Sequence, residues 1–260
     1  MEYIITEFEN SIGTVTFNND KKANSLNTEM MNEIVSAIKE FHLKKARAVV
    51  LRAKKGAAVW SAGFDINELP EPGLDPLNYF DPFEQVIREI QNFPAPVIAV
   101  LEGSVWGGAC NIAFVCDILI GSPTVTFSIT PAKIGAPYNP SGLLQFINMV
   151  SYHLAKEMFF TAKVLNAEEA KQRGILNQLA ANSDELELCL GNYTGQILKS
   201  APLSIAVIKE QMRILANSVS INPDTFERLQ DMRRKVYESQ DFIEGKKAFQ
   251  ENREPVFKGI

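Results

Sequence analysis

The sequence predicts an α/β protein in which stacked β-rich layers are covered by helices. Three observations lead there. Short apolar or alternating runs take turns with helical periodicity through the first half. From Ser141 onward the pattern becomes almost wholly helical. Finally, 260 residues with 46% apolar and 22% charged side chains provide core for one large domain, or one domain with a helical appendage. The chain shows no internal repeat and no low-complexity tract.

The elements follow in order. "YIITEF" and "GTVTFN" alternate as strands, joined by a hairpin-like turn over Asn10, Ser11, Ile12 and Gly13. "NTEMMNEIVSAIKEF" places Met30, Met31, Ile34, Ala37, Ile38 and Phe41 at helical spacing behind a cap at Asn27 or Thr28. "RAVVLRA" and "PVIAVLEG" are short buried strands, the second bounded by Pro96 and Gly103. The Pro-rich stretch from Leu69 to Phe83 is predicted to be a mobile surface loop. An apolar helix behind Gly107 and Gly108 precedes the strands "DILIGS" and "VTFSI". The helical half runs through "LLQFINMV", "HLAKEMFFTA", "AEEAKQRG", "DELELCLGNYTGQILKS", "PLSIAVIKEQMRILANSV" and "DTFERLQDMRRKVYES". Gly174 suits a helix stop and Pro202 a first helical turn.

Composition narrows the function. A formal charge of -5 argues against nucleic acid and anionic membrane as partners. The run between Glu102 and Asp117 has 14 residues, short of the ~20 a membrane span needs. The acidic start "MEYIITEFEN" lacks the basic region of a signal peptide, so a cytoplasmic protein is expected. Cys110, Cys116 and Cys189 form no CxxC pair, and the first two read as reduced core thiols. With only His42 and His153 and no HExxH, no metal site is expected.

Two glycine-containing stretches could carry chemistry. In "EGSVWGGACNIAFVCD" a helix opens on residues that disfavour helix. A backbone without Cβ atoms lets a ligand approach, and the first N–H groups of a helix have no intrahelical partner. That suits an anion or oxyanion, and tight packing against a neighbouring strand explains the same glycines. In "WSAGFDINEL", Ser61, Ala62 and Gly63 again bare the backbone, and the Phe64 N–H could be a second donor. Two N–H groups from separate loops are what an oxyanion hole requires. Ser61 lacks the GxSxG setting of a hydrolase, and neither stretch fits GxGxxG or GxxxxGK[ST].

"SAGFDINEL", the block from Glu102 to Asn139, "FTAKVLNAEEAKQRGILN" and "APLSIAVIKEQM" resemble, in order, four segments of the crotonase (enoyl-CoA hydratase/isomerase) superfamily. The resemblance runs from about Ile4 to the end of the chain. It implies a ββα spiral core with a C-terminal helical trimerisation region, placed here at residues 1–200 and 201–260. It implies a homotrimer or a homohexamer made of two trimers. It further implies an acyl-CoA substrate whose carbonyl sits between the N–H groups of Phe64 and Gly108. Ala62, Gly63, Asp65 and Ile66 would contact the rest of the substrate. Coenzyme A would be part of the substrate, and no other cofactor is implied.

The two glutamates that hydratases of the family use fall on Asn111 and Pro131, neither of which is a base near neutral pH. Decarboxylation of a malonyl-type thioester needs the oxyanion hole but no base, because the electron pair comes from the breaking C–C bond. "EGSVWGGA", "TPAKIGAPYN" and "FERLQDMRRKVYESQDFIEG" are similar to the decarboxylating members, which yield a propionyl thioester and CO2. Their polar residues fall on Thr130 and Tyr138. Thr130 reads equally as a turn residue before Pro131, Tyr138 as a packed aromatic, and Asn111 as a satisfied core amide. A hydratase or isomerase with Asp65 or Glu68 as base, and a non-catalytic acyl-CoA binder, are the alternatives. The expectation is a lyase with Phe64, Gly108 and Tyr138 in the reaction and Asn111 and Thr130 contacting substrate.

Overall fold

A computed structural model describes residues 2–68, 79–216 and 223–259. Strands β1 (Ile4–Glu9), β2 (Ile12–Phe17), β3 (Ala48–Arg52) and β4 (Val59–Ser61) precede β5 (Val97–Leu101) and β6 (Ser104–Trp106). After them come β7 (Ile118–Gly121), β8 (Thr126–Ser128), β9 (Leu165–Asn166) and β10 (Gln178–Leu179). They form a six-stranded sheet in the order β1-β2-β3-β5-β7-β10 and a four-stranded sheet in the order β4-β6-β8-β9. β1 and β2 pair antiparallel, as do β8 and β9, and the remaining pairs are parallel. Each successive pair, β3 with β4, β5 with β6 and β7 with β8, thus sends one strand to each sheet, which is the ββα spiral expected.

The helices are α1 (Thr28–Leu43), α2 (Pro82–Asn92), α3 (Gly108–Phe114), α4 (Pro140–Met149) and α5 (Tyr152–Thr161). Then follow α6 (Ala167–Gln172), α7 (Ser183–Lys199), α8 (Pro202–Ala216), α9 (Pro223–Tyr237) and α10 (Gln240–Gln250). Helix α1 starts where expected: Asn27 accepts the Met30 N–H at 2.8 Å, a cap that contributes about 1 kcal/mol. Its apolar stripe joins Val49, Leu51, Val97, Ala99 and Leu101 in the main core. The alternate residues Ala48, Val50, Ile98 and Val100 meet Leu186 and Ile197 of α7 on the other face. Parallel strands covered on both faces are apolar throughout rather than alternating, and β5 is buried at every position.

Several expectations need correction. The first turn is only Asn10 and Ser11, both at positive φ (49° and 62°), while Ile12 and Gly13 already belong to β2. Two residues at positive φ match the twist of the flanking strands, and Gly13 is needed elsewhere, against the Phe41 ring. The Pro-rich stretch does not run to Phe83 as loop, because Asp81 caps α2 and Pro82 opens it. Residues 69–78 of that stretch lie outside the described residues. Strands β4 and β6 and helix α10 escape the sequence reading. The two strands are three residues each, too short for periodicity to register.

Candidate active site

The second sheet positions the site. β4, β6 and β8 lie side by side and parallel, so the segments leaving their C-terminal ends emerge together. Those segments contain Ala62–Phe64, Gly107–Gly108 and Thr130–Pro131. Gly107 donates its N–H to the Ser128 carbonyl at 2.8 Å, tying the second segment to the third. Its φ of 57° and ψ of -127° belong to glycine, and this corner starts α3. Gly63, at φ +89°, ties the first segment to the second: a Cβ there would meet the Trp106 carbonyl oxygen at 2.5 Å and the Gly108 nitrogen at 3.0 Å.

A cavity of about 680 Å³ opens on these ends. Leu26 takes the groups flanking Phe64: its N–H donates to the Gly63 carbonyl at 2.8 Å, and its carbonyl accepts the Asp65 N–H at 3.1 Å. The Phe64 N–H itself is left over. Gly108, the first residue of α3, has no intrahelical acceptor. Among the described residues neither N–H is spent on a protein acceptor. Both residues line the cavity, and a Cβ on Gly108 would stand 2.8 Å from the Phe64 ring. The Phe64 and Phe83 rings, 4.5 Å apart, make the wall around the donors apolar.

Tyr138 also lines the cavity. Its ring packs edge-on against Phe159 at 4.9 Å and Phe146 at 5.8 Å. Its hydroxyl is buried and has no hydrogen-bond partner among the described residues. Burial, with Cys110 and Glu84 nearby, pushes the phenol well above its usual range, so it is a neutral donor. Asn139 beside it caps α4, its Oδ1 accepting the Gly142 N–H at 3.0 Å, while its Nδ2 donates to Glu84. Burial raises the carboxyls of Asp81 and Glu84 above the ordinary range.

The carboxylates around the cavity are committed. Asp65, only 8% exposed, accepts the Asn67 N–H at 3.0 Å and the Asn67 amide at 2.8 Å, closing the turn after Phe64. Glu68 accepts the N–H and hydroxyl of Thr28 at 2.7 and 2.8 Å, at the start of α1. Asp81 accepts the Phe83 N–H at 2.8 Å. Among the described residues no three His, Cys, Asp or Glu side chains form a group that could hold a metal ion.

Of the expected site residues, Ala62, Phe64, Asp65, Ile66, Gly108, Thr130 and Tyr138 line the cavity. Gly63 and Asn111 are not among the lining residues. Gly63 works by letting the two segments approach. Asn111 is 1% exposed and donates to Gln145, a satisfied core amide on α3. Thr130 faces the cavity at the start of the Pro131–Ile134 turn without capping it, and Pro131 forms the adjoining wall. The sequence reading missed Lys22, Asp81, Phe83, Lys133, Tyr237 and Phe249, all on the wall. Asp81-Pro82 is a helix-start signal that would have pointed to Phe83. Tyr237 and Phe249 arrive by tertiary packing, where α10 lies on the Pro131–Ile134 turn and a Cβ on Gly245 would meet the Ile134 carbonyl at 2.2 Å.

Comparison with known proteins identifies relatives of the whole chain. The chain is 42% identical to methylmalonyl-CoA decarboxylase of Escherichia coli (strain K12), over 99% of this chain and 98% of that protein. A structure of methylmalonyl-CoA decarboxylase with 2-nitronate-propionyl-CoA superposes with a TM-score of 0.96 at 41% identity, covering 99% of both chains. A second, complexed with 2S-carboxypropyl CoA, gives 0.97 at 41% identity, covering 100% of this chain and 99% of that one. The model of the enoyl-CoA hydratase/isomerase family matches residues 7–260. With its spiral of paired strands and its two unspent amides at their ends, the chain belongs to the enoyl-CoA hydratase/isomerase family.

Proposed function

We propose that this protein is a carboxy-lyase that converts a malonyl-type CoA thioester, methylmalonyl-CoA, to propionyl-CoA and CO2. One observation carries the reading: two unspent backbone donors face a wall whose carboxylates are each committed elsewhere. The thioester oxygen lies between the Phe64 and Gly108 N–H groups. The C–C bond to the carboxylate breaks, its electron pair enters the thioester as an enolate, and CO2 leaves uncharged. A proton then adds to the α-carbon. Each oxyanion donor contributes about 10²–10³ in rate. The neutral Tyr138 hydroxyl donates to the departing carboxylate and fixes its direction, and Thr130 closes the same wall. The apolar surroundings favour loss of charge at the scissile group.

Ala62 and Ile66 meet the pantetheine arm, while Asp65 shapes the loop that presents them. Lys22 and Lys133 at the cavity suit the phosphates of coenzyme A, which comes with the substrate as its only cofactor-like part. Residues 1–200 form the spiral core and 201–260 the helical region, which supplies both the Tyr237 and Phe249 wall and an assembly surface. Exposed apolar side chains on α5 (Tyr152, Phe160) and α8 (Leu203, Met212, Leu215) support a homotrimer or a dimer of trimers. Among the described residues no helix is long and apolar enough to cross a membrane. A CoA-dependent reaction accords with a cytoplasmic site.

The test is incubation with methylmalonyl-CoA and with crotonyl-CoA. Release of CO2 with formation of propionyl-CoA, and negligible hydration of crotonyl-CoA, are the expected results. Robust hydration defeats the reading at its main step, and binding without turnover of either would make the protein an acyl-CoA binder.

A further inference from the structure

Behind the cavity wall, bonded to the lining residue Asn139, stands a carboxyl group that the decarboxylation above does not use. Glu84 is the third residue of α2, where a glutamate commonly folds back on the N–H of the capping residue. Here its Oε1 instead accepts from Nδ2 of Asn139, 55 residues away in the chain. Asn139 is 4% exposed, lines the cavity and follows Tyr138. Its amide is pinned, with Oδ1 on the Gly142 N–H and Nδ2 also on the Ser141 hydroxyl, each at 3.0 Å. The Glu84 carboxyl is therefore tied to the residue that follows Tyr138, whose hydroxyl is buried.

The charges around Glu84 are few. On its own helix are Asp81 and Arg88. The Arg88 guanidinium stacks on Tyr79 at 4.0 Å and donates to the Tyr79 carbonyl at 2.5 Å. From the loop before α4 come Tyr138 and Asn139, both uncharged, and α4 itself carries no titratable side chain. Helix α3 brings Cys110, kept as a neutral thiol by burial. Helix α1 brings Lys39, which pairs with Glu89 at 3.5 Å. On the Asp81 side stand Tyr237 and, beside it, Arg233. A substrate carboxylate directed at Tyr138 thus meets the neighbourhood of two carboxyl groups, Asp81 and Glu84.

We propose that Glu84 is a specificity-determining residue that takes up a proton when a carboxylate-bearing acyl group enters, and that its ionised form favours uncharged acyl thioesters instead. The inference rests on the decarboxylase reading for the identity of the carboxylated ligand. Like charges under partial burial repel, and protonation of Glu84 removes the repulsion while its carbonyl oxygen keeps the Asn139 hydrogen bond. Burial already lifts Glu84 above the ordinary carboxylate range, the direction that proton uptake requires. The sign follows: affinity for a carboxylated acyl group rises as pH falls through the raised pKa, and affinity for a neutral acyl group stays level. Decarboxylation itself consumes one proton, because a carbanion equivalent replaces a carboxylate and CO2 leaves neutral. Uptake at Glu84 brings that proton into the site with the substrate.

The test is calorimetric titration of the full chain with two probes at about pH 5.5 to 8. One is a CoA thioether bearing a 2-carboxypropyl group, which cannot form a thioester enolate; the other is propionyl-CoA. Wild type is expected to increase its preference for the carboxylated probe about tenfold toward the acid end, the size a partly buried like-charge pair reaches. Glu84→Gln, which keeps an acceptor for Asn139, should show the acid-end preference at every pH. Glu89→Gln on the same helix should behave as wild type. Titrations in two buffers of different ionisation enthalpy should find up to about half a proton bound with the carboxylated probe by wild type, at the pH where the preference changes, as a tenfold coupling requires, and fewer by Glu84→Gln. Absence of that uptake in wild type, or a Glu84→Gln profile matching wild type, overturns the inference without reference to how well the variant folds. A wild type that shows the pH-dependent preference yet releases no CO2 from methylmalonyl-CoA removes the decarboxylase reading and keeps the role of Glu84. One that releases CO2 without the preference does the reverse.

Discussion

Replacing Tyr138 by Phe separates a hydroxyl that serves a ligand from one that serves the fold. In the protein the Tyr138 O–H is buried with no hydrogen-bond partner among the described residues, while the ring is held by Phe146 and Phe159. A buried polar group without a partner costs about 1–3 kcal/mol, so removing it should stabilise the empty protein or leave it unchanged. In a chain of this size about 1 kcal/mol corresponds to a rise of roughly 2–4 °C in Tm. With substrate bound, the same hydroxyl gives a hydrogen bond to a charged oxygen, worth about 1.5–3 kcal/mol. Tyr138→Phe should therefore lower kcat by about 10- to 150-fold. Phenolate chemistry plays no part, because the phenol is held far above its ordinary pKa. The assays are CO2 release, propionyl-CoA formation and a thermal melt. An unchanged kcat, or a Tm that falls by several degrees, would refute the reasoning and leave Tyr138 as wall.

The remaining predictions address the frame around it. Phe64→Pro deletes one oxyanion donor and should cost about 10²–10³ in kcat, whereas Phe64→Ala keeps the N–H and should be far milder; circular dichroism checks that the loop survives. Gly108→Pro should lose activity on the same scale, and full activity in either folded proline variant would place the donors elsewhere. Gly63→Ala drives a Cβ to within 2.5 Å of the Trp106 carbonyl at a positive φ, so it should lower both Tm and kcat; an unperturbed melt would contradict the close approach of the two segments. Light scattering at micromolar concentration should find a trimer or hexamer, and a monomer would refute the assembly inferred from α5 and α8.

What the sequence made legible follows the length of each signal. Helix α1 shows a cap and a full apolar stripe, and β3 and β5 are continuous buried runs, so they could be read directly. Strands β4 and β6 are three residues each, yet their ends place Phe64 and Gly108. Their chemistry was visible through the glycines that let the ends approach, not through the strands themselves. Thr130 and Tyr138 were found by resemblance, and the cavity does contain both. Asn111 was legible as the absence of a base, but its partner Gln145 lies 34 residues on, beyond any local pattern. Phe83, Tyr237 and Phe249 reach the wall from three separate helices. No spacing rule links them, and only the packed fold could.

The same frame explains why two missing carboxylates redirect the chemistry. Hydration and decarboxylation both pass through a thioester enolate, and the two amides stabilise that species whichever way it forms. Hydration also needs a group to take a proton, and this wall offers Pro131 with an Asn111 that is turned into the core. The carboxylates that remain are spent on the Asn67 turn, on Thr28, on the start of α2 and on Asn139. Decarboxylation asks for less: an oxyanion hole, a donor to orient the leaving carboxylate, and surroundings in which neutral CO2 is better solvated than its parent anion. In the proposed reaction Phe64, Gly108, Tyr138 and the Phe83 ring would meet those three demands. Restoring a glutamate at position 111 would therefore not by itself restore hydration. Pro131 would still stand where the second glutamate is needed to handle the proton.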